Sequence, residues 1–241
     1  MGRCPFKVFI KEKPGTCGIL SRILAGALER YVIKMEVYAG KDSLPAEQRR
    51  PLEVVKRLVE PIRNTGYNLT TDRFYTYVEL PDILYSDFKL NLVGTLKSNR
   101  QEIPSELKTT CGRELYSSKF AFTDPSTKKP PVTVVSYITK ERPKKNLLML
   151  STQHRDAGVE AGTPKKKTHI NLYYNSTKGG VDTIDQRARA YATKRGTRKC
   201  PMSVFIHLLT YYVQSMAIFS SLKMCLPPTR KNPPGRCICR N

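Results

Sequence analysis

The strongest constraint on the fold is an alternation of helix-like and strand-like patterns in the middle of the chain. From Pro51 onward, apolar residues recur at intervals of three and four as far as Ile62, which predicts an amphipathic helix ending near Gly66. Residues 67–71 and 90–96 have the composition of short strands. Helices that alternate with strands are typical of α/β domains, so a sheet layered with helices is expected.

Both flanks of this segment have recognisable patterns. Residues 19–27 and 31–39 resemble two paired strands, and residues 111–152 read as an antiparallel meander. Towards the end, residues 181–192 are predicted to form a helix, and Pro201 opens a longer helix. The apolar residues of that helix predict a strong core face: Val204, Phe205, Leu208, Leu209, Tyr212, Val213, Met216 and Phe219.

The charge balance points to a polyanionic partner. The 241 residues include 42 Lys and Arg against 20 Asp and Glu, a formal net charge of +22. Such an excess attracts nucleic acid or an anionic membrane surface. No apolar run approaches the roughly 20 residues that span a bilayer, so nucleic acid is the favoured partner. Seven cysteines at irregular spacing are read as reduced thiols, because neither a disulfide framework nor a zinc-ligand spacing emerges.

Three aspartates are candidate metal ligands. Asp72 follows a strand-like run, and Asp182 and Asp185 lie three apart near the start of a predicted helix, on one face. Transfer at a DNA phosphodiester needs hard oxygen ligands for two Mg²⁺ ions, and carboxylates supply them. The alternative is structural, since aspartates also cap turns and favour the positive end of a helix.

Basic residues concentrate between the two C-terminal helices and could grip phosphates. The alternative is a solvated charged face, and 164–167 equally suits a nuclear import signal. Tyr173, Tyr174 and Tyr191 interleave with this region, and packing is favoured over base stacking. The candidate DNA-binding residues are Arg187, Arg189, Lys194, Arg195, Arg198 and Lys199.

Three stretches together resemble the piggyBac transposase family over roughly residues 2–221. They are Gly2–Phe6 with Lys13–Pro14; Thr71–Phe74 with Leu92–Arg100 and Ile103–Pro104; and Tyr173–Gln186 with Arg198–Met202. The resemblance implies a ribonuclease H-like catalytic core in which three aspartates hold Mg²⁺ ions. Asp72 matches the second aspartate and Asp182 the third, while Asp185 matches a carboxylate beside the third. An intact relative would nick and rejoin DNA, preferring TTAA targets.

Departures from the family pattern change the expected function. The first aspartate of the family lies on the strand just before the Gly2–Phe6 segment, where this chain has Met1. Family members usually have Asn after the second aspartate, where this chain has Arg73, and the resemblance does not extend to the Cys/His-rich C-terminal domain of the family. We therefore expect a core lacking its first strand, with Asp72, Asp182 and Asp185 vestigial and no Mg²⁺ productively bound.

The resemblance also suggests a division of the chain. Residues 1–110 would form the N-terminal part of the core, 111–168 a β-rich insertion with a basic loop, and 169–221 the C-terminal helical part. Residues 222–241, rich in proline and basic residues, would form a flexible tail.

These observations favour a nuclear, catalytically inactive transposase remnant with residual affinity for the DNA backbone. A homodimer is possible, as in the family, and neither a membrane nor a small-molecule substrate is expected. One alternative is a Mg²⁺-dependent transposase or endonuclease, completed by a partner or a longer isoform that supplies the missing strand. Another alternative is a domesticated chromatin-binding or protein-interaction module that keeps the scaffold without the metal site.

Overall fold

The computed structural model describes residues 4, 6–11, 17–40, 43–127, 129–191, 199–225 and 236–240. The strands are β1 Val8–Phe9, β2 Cys17–Gly18, β3 Ser21–Gly26, β4 Val32–Val37, β5 Asn68–Thr71, β6 Asn91–Leu96, β7 Ser118–Phe122, β8 Thr133–Glu141, β9 Lys144–Ser151 and β10 Arg236–Arg240. The helices are α1 Pro51–Val59, α2 Leu80–Ser86, α3 Ser105–Lys108, α4 His169–Thr177, α5 Gly180–Ala190 and α6 Cys200–Cys225. Two compact units result: the first contains β1–β4, α1, α5 and α6, and the second contains β5–β9 and α2–α4.

The first unit is built on an antiparallel pair of strands. Strands β3 and β4 pair from Ser21 opposite Val37 onward, which confirms the predicted strand pair. Apolar side chains of β3 pack against the inner side of α5 and against one residue of α6. The buried members of this core are Ile23, Ala25, Ala27, Val181, Ile184, Ala188 and Tyr211. The predicted helix from Pro51 is confirmed, although α1 ends at Val59 and one 3-10 turn follows.

An ion-pair cluster joins β3, β4 and α1 in the first unit. Glu36 accepts hydrogen bonds from Arg22 Nη1 at 2.8 Å and from Arg57 Nε at 2.9 Å. Partial burial opposes ionisation of Glu36, but the hydrogen bonds from Arg57 and Arg22 outweigh it and lower its pKa. The same contact raises the pKa of Arg57. Because the three side chains are largely shielded from water, the cluster stabilises the unit more than a fully exposed pair would.

The second unit contains a mixed sheet in the order β5-β6-β9-β8-β7. Strands β5 and β6 are parallel, while β6–β9, β9–β8 and β8–β7 are antiparallel. The predicted meander is therefore confirmed, and because β9 pairs with β6 it continues the same sheet. The domain boundaries at 110, 168 and 221 stay predictions.

Helix α6 corrects the prediction for the C-terminal segment. The side of α6 that packs against the rest of the first unit carries Tyr211, which is buried. It also carries Ser215, whose Oγ accepts a hydrogen bond from Val32 N at 3.1 Å. Most of the residues that were predicted to form the core face are exposed instead. The exposed ones are Phe205, Leu208, Leu209, Tyr212, Val213 and Met216, while Val204 is half-buried and the Phe219 side chain lies outside the described residues.

The prediction failed because α6 is apolar around much of its circumference, so periodicity alone could not choose the side that packs. Over the helices of the described residues, no stretch is both long and apolar enough to cross a bilayer. Within the segment predicted to be a flexible tail, 222–241, α6 extends to Cys225 and β10 occupies Arg236–Arg240. The rest of that tail lies outside the described residues.

Candidate metal and nucleic-acid site

Asp72 lies at the carboxyl end of β5, as the sequence predicted. Strands β5 and β6 run parallel, with Thr71 opposite Gly94, so the residues that follow each strand emerge at the same edge of the sheet. In open α/β sheets this edge is where ligands bind. Asp72 is half-buried, and the edge beside it is formed by the turn after β5 and the segment after β6.

Backbone hydrogen bonds fix the turn that carries Asp72. Its carbonyl oxygen accepts from Tyr75 N at 2.9 Å and from Thr76 N at 3.1 Å, and its Oδ1 accepts from Arg73 N at 2.7 Å. The buried hydroxyls of Thr71 and Thr76 lie 2.8 Å apart. The carboxylate is thus held on a rigid support.

Gly94 on β6 makes this support possible. A Cβ atom at position 94 would clash with Thr76 Oγ1 and come within 2.5 Å of Thr71 Oγ1, so any larger side chain displaces the two hydroxyls. The glycine allows close approach of β6 to the Asp72 turn. Gly94 is needed because it leaves space for the two hydroxyls, and not for its backbone conformation, which other residues also adopt.

Two cations stack on aromatic rings in the segments that follow β5 and β6. Lys97 Nζ lies 5.5 Å from the centroid of the exposed Phe74 ring, and Arg100 Cζ lies 3.9 Å from that of Tyr77. Arg73 is exposed beside them. We call these five residues the cation-aromatic rim. Arg73 and Phe74 are exposed and the other three are half-buried, and cations and rings that reach the surface in this way are suited to phosphates and unstacked bases.

The two aspartates of α5 have different surroundings. Asp182 is exposed near the start of the helix, whereas Asp185 is half-buried and accepts a hydrogen bond from Tyr211 Oη at 2.6 Å. Burial and the Asp185 carboxylate raise the pKa of Tyr211 far above its ordinary value, so the hydroxyl stays protonated and donates the hydrogen bond to Asp185. The hydrogen bond between Asp185 and Tyr211 therefore joins α5 to α6, which gives Asp185 a structural role. The catalytic role predicted for Asp185 stays a prediction.

The predicted DNA-binding residues are only partly described. Arg187 and Arg189 lie in the last turn of α5, and Lys199 immediately precedes α6. Lys194, Arg195 and Arg198 lie outside the described residues.

The three tyrosines near this region divide between packing and exposure. Tyr173 and Tyr174 pack against the core of the second unit, which confirms the packing prediction for them. The same prediction is wrong for Tyr191, which is 74% exposed. Tyr191 follows α5 directly and precedes the basic segment in the sequence.

The described residues do not fit a two-metal centre by themselves. Such a centre requires several hard oxygen ligands that converge. Within the described ranges, no group of three or more His, Cys, Asp or Glu side chains is arranged to hold a metal ion. Asp72 lies in the second unit, and Asp182 and Asp185 in the first.

Sequence reasoning did not assign a role to the cation-aromatic rim, although its residues fall within or beside the motifs that carry the family resemblance. The sequence nevertheless contains a signal that could have placed these residues together. If β5 and β6 are predicted to be parallel neighbours, the residues after Thr71 and after Leu96 must meet at one edge. Tyr211 was also missed, because its partner Asp185 is distant in the sequence.

Comparison with known proteins agrees with this architecture. The family model described as Transposase IS4 matches residues 1–214. The cryo-EM structure of a piggyBac transposase synaptic complex with hairpin DNA matches with a TM-score of 0.78 and 32% sequence identity. The match covers 92% of this chain and 46% of that chain, so the chain spans less than half the length of that transposase. The predicted ribonuclease H-like α/β fold is confirmed, and the chain belongs to the Transposase IS4 family, with a piggyBac-type transposase domain.

Proposed function

We propose that this piggyBac transposase-related chain binds the DNA backbone and, by itself, neither cuts nor rejoins strands. The observation that carries the proposal is the cation-aromatic rim next to Asp72, where Lys97 and Arg100 stack on the rings of Phe74 and Tyr77. A formal charge of +22 supplies the long-range attraction. The related transposase was solved with hairpin DNA, which supports DNA as the partner.

The rim is suited to contact with phosphates because its cations are already oriented. A lysine or arginine held over a ring loses less conformational freedom on binding than a free side chain does. Removing a phosphate contact weakens binding to all sequences and lowers the salt dependence, whereas removing a base contact changes specificity. We expect loss of a rim cation to weaken binding to all DNA sequences and to lower the salt dependence.

Loss of cleavage follows from the ligand set. Relatives are expected to use Mg²⁺, and Asp72 and Asp182 are the residues of this chain that match metal ligands of the family. Arg73 follows Asp72 directly and is exposed, so it adds a positive charge where a cation would have to bind. Productive binding of Mg²⁺ is therefore not expected.

The DNA-binding test compares two charge-matched double variants of the full chain. Lys97→Ala/Arg100→Ala removes two rim cations, and Lys140→Ala/Lys145→Ala removes two exposed lysines that face each other across β8 and β9. Affinity for a fluorescent duplex is measured from low to moderate salt. The rim variant should lose about tenfold in affinity and about two units of the log–log salt slope, with little change in the control. Equal losses in both variants would reduce the rim to general surface charge.

The rigid turn around Asp72 favours one second candidate, a Mg²⁺-dependent endonuclease completed by a longer form or a partner chain. Plasmid nicking with Mg²⁺ separates the two functions. We expect no nicking by this chain and, if the second candidate holds, nicking by a form extended to include an upstream aspartate. That activity should be lost in Asp72→Asn. Nicking by the unextended chain would overturn the primary proposal.

A chromatin-binding module would, like the primary proposal, bind DNA without help from the aspartates. Salt-sensitive DNA binding that survives Asp72→Ala and Asp182→Ala would support it. Nuclear location is proposed on the exposed basic residues Lys165 and Lys166, whose replacement by alanine should move a fluorescent fusion out of the nucleus. Dimerisation, expected from the family, is checked by sedimentation.

A further inference from the structure

Two cysteine thiols meet in the first unit. Cys200 Sγ donates a hydrogen bond to Cys4 Sγ over 2.7 Å, although 196 positions separate the two residues in the sequence. A disulfide bond is about 2.0 Å long, so a small approach of the sulfurs suffices to form one. Among the described cysteines, Cys17 and Cys111 are exposed, while Cys4 and Cys200 are half-buried.

The hydrogen bond gives the two sulfurs different roles. It raises the pKa of the Cys200 thiol, with desolvation as a further cause, and Cys4 Sγ is the acceptor of the bond. Cys4 is the sulfur placed to attack first, and Cys200 is the one placed to resolve. Incomplete burial leaves room for a small oxidant.

We propose that Cys4 and Cys200 form a reversible disulfide when the chain meets a small disulfide such as glutathione disulfide. The Cys4 sulfur attacks one glutathione sulfur and releases the first glutathione, which leaves a mixed disulfide on Cys4. The Cys200 sulfur then attacks the Cys4 sulfur and releases the second. Two thiols of the protein are oxidised, one glutathione disulfide is reduced, and the two thiol protons end on the two glutathione molecules.

The bond would fasten the segment around Cys4 to the first residue of α6. Lys199 and the rest of the predicted DNA-binding run directly precede Cys200, so their C-terminal end would be anchored as well. A cross-link across so long a stretch of chain restricts the unfolded state strongly. Oxidised chain should therefore melt about 5–10 °C above reduced chain.

The test is peptide mapping of the full chain after equilibration in glutathione buffers of graded redox ratio, with free thiols blocked by alkylation. We expect a linked peptide pair containing Cys4 and Cys200, which disappears on reduction. Cys200→Ser should trap glutathione on Cys4, and Cys4→Ser should prevent the linkage. Cys111→Ser, which changes an exposed thiol, should leave the linkage intact.

The peptide map of the wild-type chain tests the proposed disulfide even if a serine variant fails to fold. Disulfides that form at random among the seven cysteines, or a link from Cys4 to any cysteine other than Cys200, would overturn the proposal. So would alkylation of Cys4 and Cys200 under oxidising buffers at the same rate as alkylation of Cys111. A linked pair without the rise in Tm would contradict the inferred anchoring of α6.

Discussion

The surroundings of Asp72 and of Asp185 show how one residue type serves two purposes in this molecule. Asp72 is held by backbone N–H groups on a tight turn, at an edge where cations stack on aromatic rings. Asp185 is held by a buried tyrosine hydroxyl that joins two helices. The first arrangement places a half-buried carboxylate at the carboxyl end of a strand, and the second uses a carboxylate to join two helices. Hydrogen-bond partners distinguish the two, whereas the family motif alone does not.

The largest expected effect tests whether packing under Asp72 makes its turn rigid. Gly94→Val should lower the free energy of unfolding by about 2–3 kcal/mol, because the new side chain displaces the hydroxyls of Thr71 and Thr76. Urea denaturation measures the loss. Gly162→Ala is the control, with no heavy atom within 4 Å of the added carbon, and should change stability by less than about 0.5 kcal/mol. Equal effects would mean that the turn tolerates movement.

A second substitution tests the structural role of Asp185. Tyr211→Phe removes a hydrogen bond to a carboxylate and should cost about 1.5–2 kcal/mol. Tyr212→Phe, one position further on the exposed side of α6, should be neutral. Both are measured by urea denaturation at neutral pH. If the two variants are equally stable, Asp185 is no more structural than Asp72.

The ion-pair cluster of the first unit makes part of its stability depend on pH. Because the pKa of Glu36 is lowered in the folded state, its ionised form stabilises the fold above the ordinary value of 4.5. That contribution disappears as pH falls through the folded pKa. Glu36→Gln should therefore cost about 1 kcal/mol at pH 7 and much less in acid.

Glu53→Gln is the matched control for Glu36→Gln, because Glu53 pairs with Lys56 on the more exposed surface of α1. It should show a small effect at either pH. A Glu36→Gln penalty that persists unchanged in acid would attribute the loss to packing and not to charge.

The smallest expected effect sharpens the comparison most directly. Asp72→Asn should change stability by less than about 0.5 kcal/mol, since the amide oxygen of Asn can accept the same hydrogen bond from Arg73 N. Thermal melting and circular dichroism at neutral pH check this. A loss above about 1 kcal/mol would place Asp72 with Asp185 as a structural carboxylate.

Local patterns predicted much of the fold. Alternation and turn signals were sufficient for the β3–β4 pair, for the meander and for Asp72 at the end of β5, because each depends on neighbours in the sequence. The buried side of α6 could not be predicted, since both sides of that helix carry apolar residues and only tertiary contact selects one. The Asp185–Tyr211 bond and the stacking of Lys97 on Phe74 depend on contacts between separate elements.

The solvent-exposed apolar side chains of α6 also affect the thermodynamics of unfolding. Unfolding raises the heat capacity mainly by hydrating apolar surface that the folded state had kept dry. Phe205, Tyr212 and Val213 are more than half exposed before unfolding begins, so they add little to that change. Each of them should therefore contribute less to the heat-capacity increment of unfolding than a buried residue of the same type.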